Sequence, residues 1–135
     1  MKIKKLIFGL LFAFSAHAVY ADDCIVLGYH EPGTQTYFGP TWCTGKSIKD
    51  IIVRGPLSTT HSILTGLTNI SGPIDSRSTT FHSIKEKNLT SESISLKNIS
   101  IVNGDIVFVG PPGTVYLDHS SSISGKVVNG KIISI

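Results

Sequence analysis

Five copies of one short phrase constrain the fold of this chain most strongly: an apolar residue, any residue, glycine, any residue and a second apolar residue. The copies occupy residues 53–57, 70–74, 102–106, 123–127 and 128–132, and their glycines lie 17, 32, 21 and 5 residues apart. Glycine can take a positive φ at a corner, and it lets neighbouring backbone approach closely. A phrase that returns in this way is typical of a repeat architecture in which one short unit stacks on the next.

The composition of the chain favours strands over helices. After the first 21 residues the sequence contains no alanine and no methionine, but 16 isoleucines and 28 serines or threonines. Alanine is the best helix former, whereas β-branched side chains fit a pleated surface. We therefore predict one all-β domain in which residues 47–135 form a short β-solenoid (β-helix) of four or five coils. Its inward side chains include Leu57, Ile74, Ile106 and Val127. A β-sandwich is the alternative, because it also consists of many short strands.

The N-terminal segment has the pattern of a signal peptide. Three lysines (Lys2, Lys4 and Lys5) precede an apolar run at residues 6–14, and two small-x-small cleavage sites end at Ala18 and Ala21. We predict a signal peptide at residues 1–21 and export to the periplasm or the extracellular space. No transmembrane segment is expected after cleavage. Residues 22–135 carry 9 basic and 9 acidic side chains. No clustered basic excess remains, so we do not expect a nucleic-acid partner.

The two cysteines bracket a segment that differs from the rest of the chain. In an exported protein an isolated pair predicts one disulfide, here between Cys24 and Cys43. We predict that residues 22–46 form a disulfide-tied cap on one end of the solenoid. This segment also holds Tyr29, Tyr37 and Trp42. Buried beneath the disulfide, these aromatic side chains would be the core of the cap. Exposed on one face, they would bind a glycan or another cell-surface ligand.

No catalytic or cofactor motif is present in the sequence. It lacks a Gly-x-Ser-x-Gly elbow, a phosphate-binding glycine loop and the ligand spacing of a zinc site. We therefore expect a non-enzymatic protein without metal or cofactor. Two alternatives remain open. In the first, stacking brings together Asp75, Asp105 and Asp118 as carboxylates of a small polysaccharide-acting enzyme, and in the second it brings together His61, His82 and His119 as ligands of a metal.

Two further segments are candidates for interactions. Residues 83–93 are the most polar part of the repeat region, and we interpret them as either a degenerate coil or a protruding loop. The final strand contains Ile132, Ile133 and Ile135. An uncovered terminal coil exposes apolar surface and unpaired backbone. We predict that this edge either pairs with a second copy or is covered by the N-terminal segment.

The repeat phrases carry a resemblance to a known family. Gly-Pro-Leu at Gly55, Gly-Pro-Ile at Gly72 and Val-Asn-Gly-x-Ile at Gly104 and Gly130 resemble those of bactofilin-like, polymer-forming β-helix proteins. The chain looks most like exported variants found in Legionella-like bacteria, and the resemblance covers residues 47–135. It implies a small β-helix that assembles end to end and has no catalytic residues. The signal peptide and the cysteine pair depart from the family, whose typical members are cytoplasmic.

Overall fold

The protein is built from short strands that succeed one another at nearly constant intervals. A computed structural model describes residues 23–135, and within this range it contains seventeen β-strands and no helix. No described segment is therefore a helix long and apolar enough to cross a membrane. The predicted signal peptide at residues 1–21 lies outside the described residues. The strands are β1 (Ile25–Val26), β2 (Tyr29–His30), β3 (Thr36–Phe38), β4 (Thr41–Thr44), β5 (Ser47–Ile48), β6 (Ile51–Arg54), β7 (Leu57–Thr60), β8 (Ile63–Ile70), β9 (Ile74–Arg77), β10 (Thr80–Lys87), β11 (Ser93–Lys97), β12 (Ile101–Val102), β13 (Ile106–Val109), β14 (Gly113–Leu117), β15 (Ser122–Ile123), β16 (Val127–Val128) and β17 (Gly130–Ser134).

The strands stack as the coils of a β-solenoid of about six turns. One sheet has the order β17-β14-β11-β9-β7-β4-β1, and its members from β4 to β17 pair in parallel, one coil apart. We call this sheet face A. A second sheet is bent into face B (β5, the start of β8 and β10, β12, β15) and face C (β3, β6, the end of β8 and β10, β13, β16). Within residues 23–135 the only antiparallel pairs are β1 with β4 and β2 with β3. This pairing excludes the β-sandwich alternative.

The five glycine phrases lie at two different corners of the coil. Gly55, Gly72 and Gly130 lie at the corner between faces C and A, whereas Gly104 and Gly125 lie at the corner between faces B and C. A Cβ atom on Gly72 would overlap the backbone of Gly55, and one on Gly125 would overlap that of Gly104. The phrase therefore marks close approach of adjacent coils. The last two glycines are close in sequence because they lie on either side of face C within one coil, rather than in successive coils.

The corner between faces A and B is built around buried hydroxyl groups. Ser62, Thr79, Ser100 and Ser121 stack in successive coils, and each is at most 9% exposed. The Ser100 hydroxyl donates to the carbonyl of Lys97 at 2.8 Å, and the Ser100 N–H donates to Ser121 Oγ at 3.0 Å. These side chains satisfy backbone groups that the turn leaves unpaired. Serine and threonine are therefore structural at this corner.

The interior is filled by columns of apolar side chains in register. On face A, Leu57, Ile74, Ile94 and Val115 are aligned from coil to coil, and none is more than 2% exposed. Burial of each such side chain contributes about 1.5–3 kcal/mol. The inward positions predicted for Leu57, Ile74 and Ile106 are confirmed, and Val127 packs on the core while partly buried.

The solenoid begins earlier in the chain than the boundary we predicted at residue 47. Strands β3 and β4 already pair in parallel with β6 and β7, so the first coil starts at Thr36. Only β1 and β2 fold back antiparallel over that coil. This extra coil accounts for six turns where the repeat region alone predicts four or five. This coil also has a glycine at the corner between faces C and A, Gly39, but its phrase is incomplete because Thr41 holds the inward position that Leu57 holds in the next coil.

Candidate functional site

The N-terminal end of the solenoid is sealed. A disulfide joins Cys24 to Cys43, with their Cα atoms 4.6 Å apart, as predicted. Below it, Tyr37 is completely buried, and its hydroxyl donates to Gln35 Oε1 at 2.6 Å and accepts from the Cys24 N–H at 3.0 Å. The His30 ring stacks on Tyr37 with a centroid separation of 4.4 Å. The core-facing side chains of Cys24, Tyr37 and Cys43 at this end are therefore buried.

The three aromatic side chains of the cap do not form one surface. Tyr37 belongs to the cap core, which corrects its assignment to a ligand surface. Tyr29 is 56% exposed on face C beside Phe38, at a centroid distance of 6.0 Å. Trp42 is 43% exposed on face A, opposite Ile25. Because faces A and C point in different directions, Tyr29 and Trp42 do not share a flat platform for a sugar.

No strand of residues 23–135 covers the C-terminal end of the solenoid. Ile132 continues the inward column of Val115 by register, yet it is 48% exposed, whereas the column members before it are buried. Ile133 and Ile135 are also exposed. The outer edges of β15, β16 and β17 pair with no strand in residues 23–135, and the cap lies at the opposite end. Of the two alternatives for this edge, coverage by the N-terminal segment is therefore not found among the described residues.

A loop interrupts the corner between faces C and A in the middle of the solenoid. Residues 83–87 belong to β10 and residues 88–92 protrude, so the polar segment is partly coil and partly loop. The loop overhangs a groove of about 580 Å³, which we call the loop groove. It is lined by Arg54, Ser71, Lys87, Asn88, Leu89 and Thr90. A second groove of about 490 Å³ lies on the other side of the loop, against Thr114 and Lys131.

A buried carboxyl group anchors the base of this loop. Glu86 is 1% exposed, and its Oε2 accepts the Gly72 N–H at 3.0 Å and the Asn88 side-chain amide at 2.6 Å. Its Oε1 is buried without a hydrogen-bond partner in the described residues. Burial, with a smaller contribution from the charge of Glu92, raises the pKa of Glu86 to about 7 against the lowering effect of the two hydrogen bonds. The group therefore titrates near neutrality.

The titration of Glu86 predicts a pH dependence of stability. The folded state holds the proton more tightly than the unfolded chain, in which the pKa has its ordinary value of 4.5. Stability is therefore highest below that value, decreases as the pH rises through about 7, and is constant above. We expect the melting temperature to fall between about pH 5 and about pH 8, and Glu86→Gln to remove this part of the slope. Calorimetry at several pH values measures it. The exposed Glu31→Gln serves as control, and an unchanged slope in Glu86→Gln would contradict the assignment.

The other predicted chemical clusters are not assembled. Asp75 lies on face A, 3.6 Å from the ammonium of Lys97, whereas Asp105 lies at the corner between faces B and C, where it accepts the Lys126 N–H. Asp118 directly follows β14, at the corner between faces A and B. Hydrogen bonds, chiefly from the Asn98 N–H, hold the pKa of Asp118 well below its usual range. These carboxyls do not form the facing pair that glycoside hydrolysis needs.

The three histidines are likewise apart. His61 lies at the corner between faces A and B, with a φ of 48°, and His82 lies inside β10. His119 shares the corner of His61 but is separated from it by the coils that hold Ser78 and Asn98. No group of three potential metal ligands occurs among residues 23–135.

The sequence placed Glu86 and Lys87 in the polar candidate segment 83–93 without an individual role for either, and it did not point to Arg54. The signal for Glu86 lies in the alternation of β10, where it has the same parity as the inward Ile84. Arg54 and Lys87 come together only through the stacking of coils. Within residues 23–135 the protein is a small parallel β-solenoid with a disulfide-tied cap at its N-terminal end and an uncovered C-terminal coil. Comparison of the chain with protein-family models, curated proteins and solved structures yields no match.

Proposed function

We propose that this protein is an exported, non-catalytic structural module that associates with a second copy through its C-terminal coil. The proposal rests on the exposure of Ile132, whose side chain faces the core by register but is 48% exposed. Exposed apolar surface beside an unpaired strand edge favours association with another chain. Export is supported by the predicted signal peptide and by the disulfide, which persists in oxidising compartments.

The two ends of the solenoid differ, and this difference favours a closed pair over a filament. At the N-terminal end the core residues Tyr37 and Cys43 are fully buried, and β1 and β2 occupy the edge. The C-terminal end has no such cover within the described range. When the open end of one copy contacts the open end of a second copy, the interface is isologous and two-fold, so association ends at the dimer. The family resemblance, by contrast, implies end-to-end filaments.

The oligomeric state of the purified, oxidised protein tests this proposal. We expect light scattering and sedimentation to give a dimer. The double variant Ile133→Lys with Ile135→Lys is expected to be a monomer, because two ammonium groups cannot be buried in an apolar contact. As a matched control, Ile25→Lys with Leu27→Lys places two lysines on exposed apolar residues of the sealed end and should leave the dimer intact.

Three results would contradict the proposal. A wild-type protein that stays monomeric at high concentration excludes association through this edge. Loss of the dimer in the sealed-end variant would place the contact at the cap. Growth into filaments would show that the cap does not block addition.

A further inference from the structure

Arg54, Ser71 and Lys87 form one outward column across three successive coils of face C. The register pairs Val53 with Ile70 and Ile70 with Glu86, which aligns the residue that follows each. Neighbouring coils are about 4.8 Å apart, so the backbones of the two cationic residues are about 10 Å apart with Ser71 between them. Both side chains are long enough to reach a common point above the serine hydroxyl.

Neither cation forms an ion pair with a carboxylate of residues 23–135. The salt bridge within residues 23–135 joins Lys97 to Asp75, on another face. Arg54 donates to the neutral side-chain carbonyl of Asn69 at 3.4 Å. Of the nearby acids, Glu86 is buried and bound to Gly72 and Asn88, and Glu92 accepts the Thr90 hydroxyl at 3.0 Å. Arg54 and Lys87 therefore present uncompensated positive charge to the loop groove.

The loop groove offers more than charge. Its walls add the hydroxyl groups of Ser71 and Thr90 and the amide of Asn88, and Leu89 at its rim is 97% exposed. Its volume of about 580 Å³ lies in the range of small-molecule sites and exceeds that of a single inorganic anion. Guanidinium and ammonium groups form charge-assisted hydrogen bonds with carboxylate or sulfate, while hydroxyls and an amide match the hydroxyls of a sugar.

From this arrangement we infer that the loop groove binds an acidic saccharide, with its anionic group between Arg54 and Lys87. This site is independent of the open C-terminal end and of the proposed self-association. The anionic group contacts the two cations and the Ser71 hydroxyl, and the ring lies along Asn88, Leu89 and Thr90. A sugar carboxylate and a sugar sulfate share this chemistry.

Binding at this site is coupled to the proton on Glu86. The carboxyl lies below the groove, next to Lys87 in the chain and hydrogen-bonded to the groove residue Asn88. The charged groups around it are Glu92 on the loop, Lys85 and Lys87 on its own strand, and Arg54 two coils away. A bound anion repels the ionised carboxylate, so protonated Glu86 and the bound ligand favour each other. Affinity is therefore higher below the pKa of Glu86 than above it.

Calorimetric titration of the intact oxidised protein tests the inference with named probes. Trigalacturonate and a sulfated trisaccharide are the acidic ligands, maltotriose is the neutral control, and inorganic phosphate is the free anion. We expect binding of an acidic sugar that weakens with salt and that falls at least about tenfold in Arg54→Gln with Lys87→Gln. Lys49→Gln with Lys126→Gln removes two exposed lysines at another corner and should have no effect. Glu86→Gln should abolish the pH dependence.

Each other outcome overturns the inference. Equal affinity in the Arg54 and Lys87 variant excludes the site. If phosphate binds as tightly as the acidic sugars, the site is one for a free anion. If maltotriose binds equally well, the negative charge of the ligand does not contribute to binding. Absence of binding to every probe at millimolar concentration rejects a saccharide site altogether. Light scattering on the same variant, which should still be a dimer, separates this failure from a failure of the proposed function.

Discussion

Reduction of the disulfide between Cys24 and Cys43 is expected to lower the free energy of unfolding by about 3 kcal/mol. The bridge joins two cysteines separated by 19 positions in the sequence and ties the cap to the first coil. It therefore restricts the unfolded chain, and it also holds the Cys24 N–H against the Tyr37 hydroxyl. Urea unfolding of the same protein with and without reductant measures the difference, and no substitution disturbs the core.

The part of the protein that is destabilised distinguishes this mechanism from a general effect of the reductant. Hydrogen exchange should accelerate first in β1 and β2, which pair only with the first coil, and later in β9 to β11. Cys24 and Cys43 are the only two cysteines in the sequence, so the reductant has no other target. Equal unfolding curves, or faster exchange spread evenly over all coils, would contradict a role of the disulfide in sealing this end.

Replacement of Gly72 by alanine is expected to destabilise the protein by about 3 kcal/mol, near the upper end of overpacking effects. A Cβ atom at this position would overlap the carbonyl of Gly55 and the nitrogen of Pro56. These are backbone atoms of the adjacent coil, so the coils must separate to admit a methyl group. That separation also weakens the hydrogen bond from the Gly72 N–H to Glu86. Thermal unfolding of the variant measures the cost.

Gly33→Ala is the matched control for a glycine without a close neighbour. Gly33 has a φ of 76° and no heavy atom within 4 Å of an added Cβ. Its replacement costs only the strain of a left-handed conformation, about 1 kcal/mol. If Gly72→Ala cost no more than Gly33→Ala, the close approach of coils at this corner would not be a determinant of stability.

Local pattern was enough to predict strands where apolar residues alternate with polar ones. The alternating run at residues 94–96 lies within β11, and the β-prone apolar runs at residues 106–109 and 114–117 form β13 and most of β14. Strands β7 and β9 lack this local signal because Thr59 and Ser76 take inward positions that apolar residues hold elsewhere. In a solenoid, a buried hydroxyl can bond to the backbone of its own or the next coil, as Ser76 does with the carbonyl of Ser95. The polar character of such a segment then no longer indicates a loop.

The amino-acid sequence by itself determined that the fold is all-β, since its composition is rich in β-branched residues, and its glycine phrases favoured a solenoid over a sandwich. It also determined the disulfide, because the chain holds just two cysteines. Only the tertiary structure decided that the phrases mark two corners, that the first coil starts at Thr36, and that Arg54 and Lys87 share a groove. The physical reason is that coil length varies from 16 to 21 residues in the aligned columns of face A. The residues that meet across coils are set by backbone pairing over the whole stack, which no local spacing records.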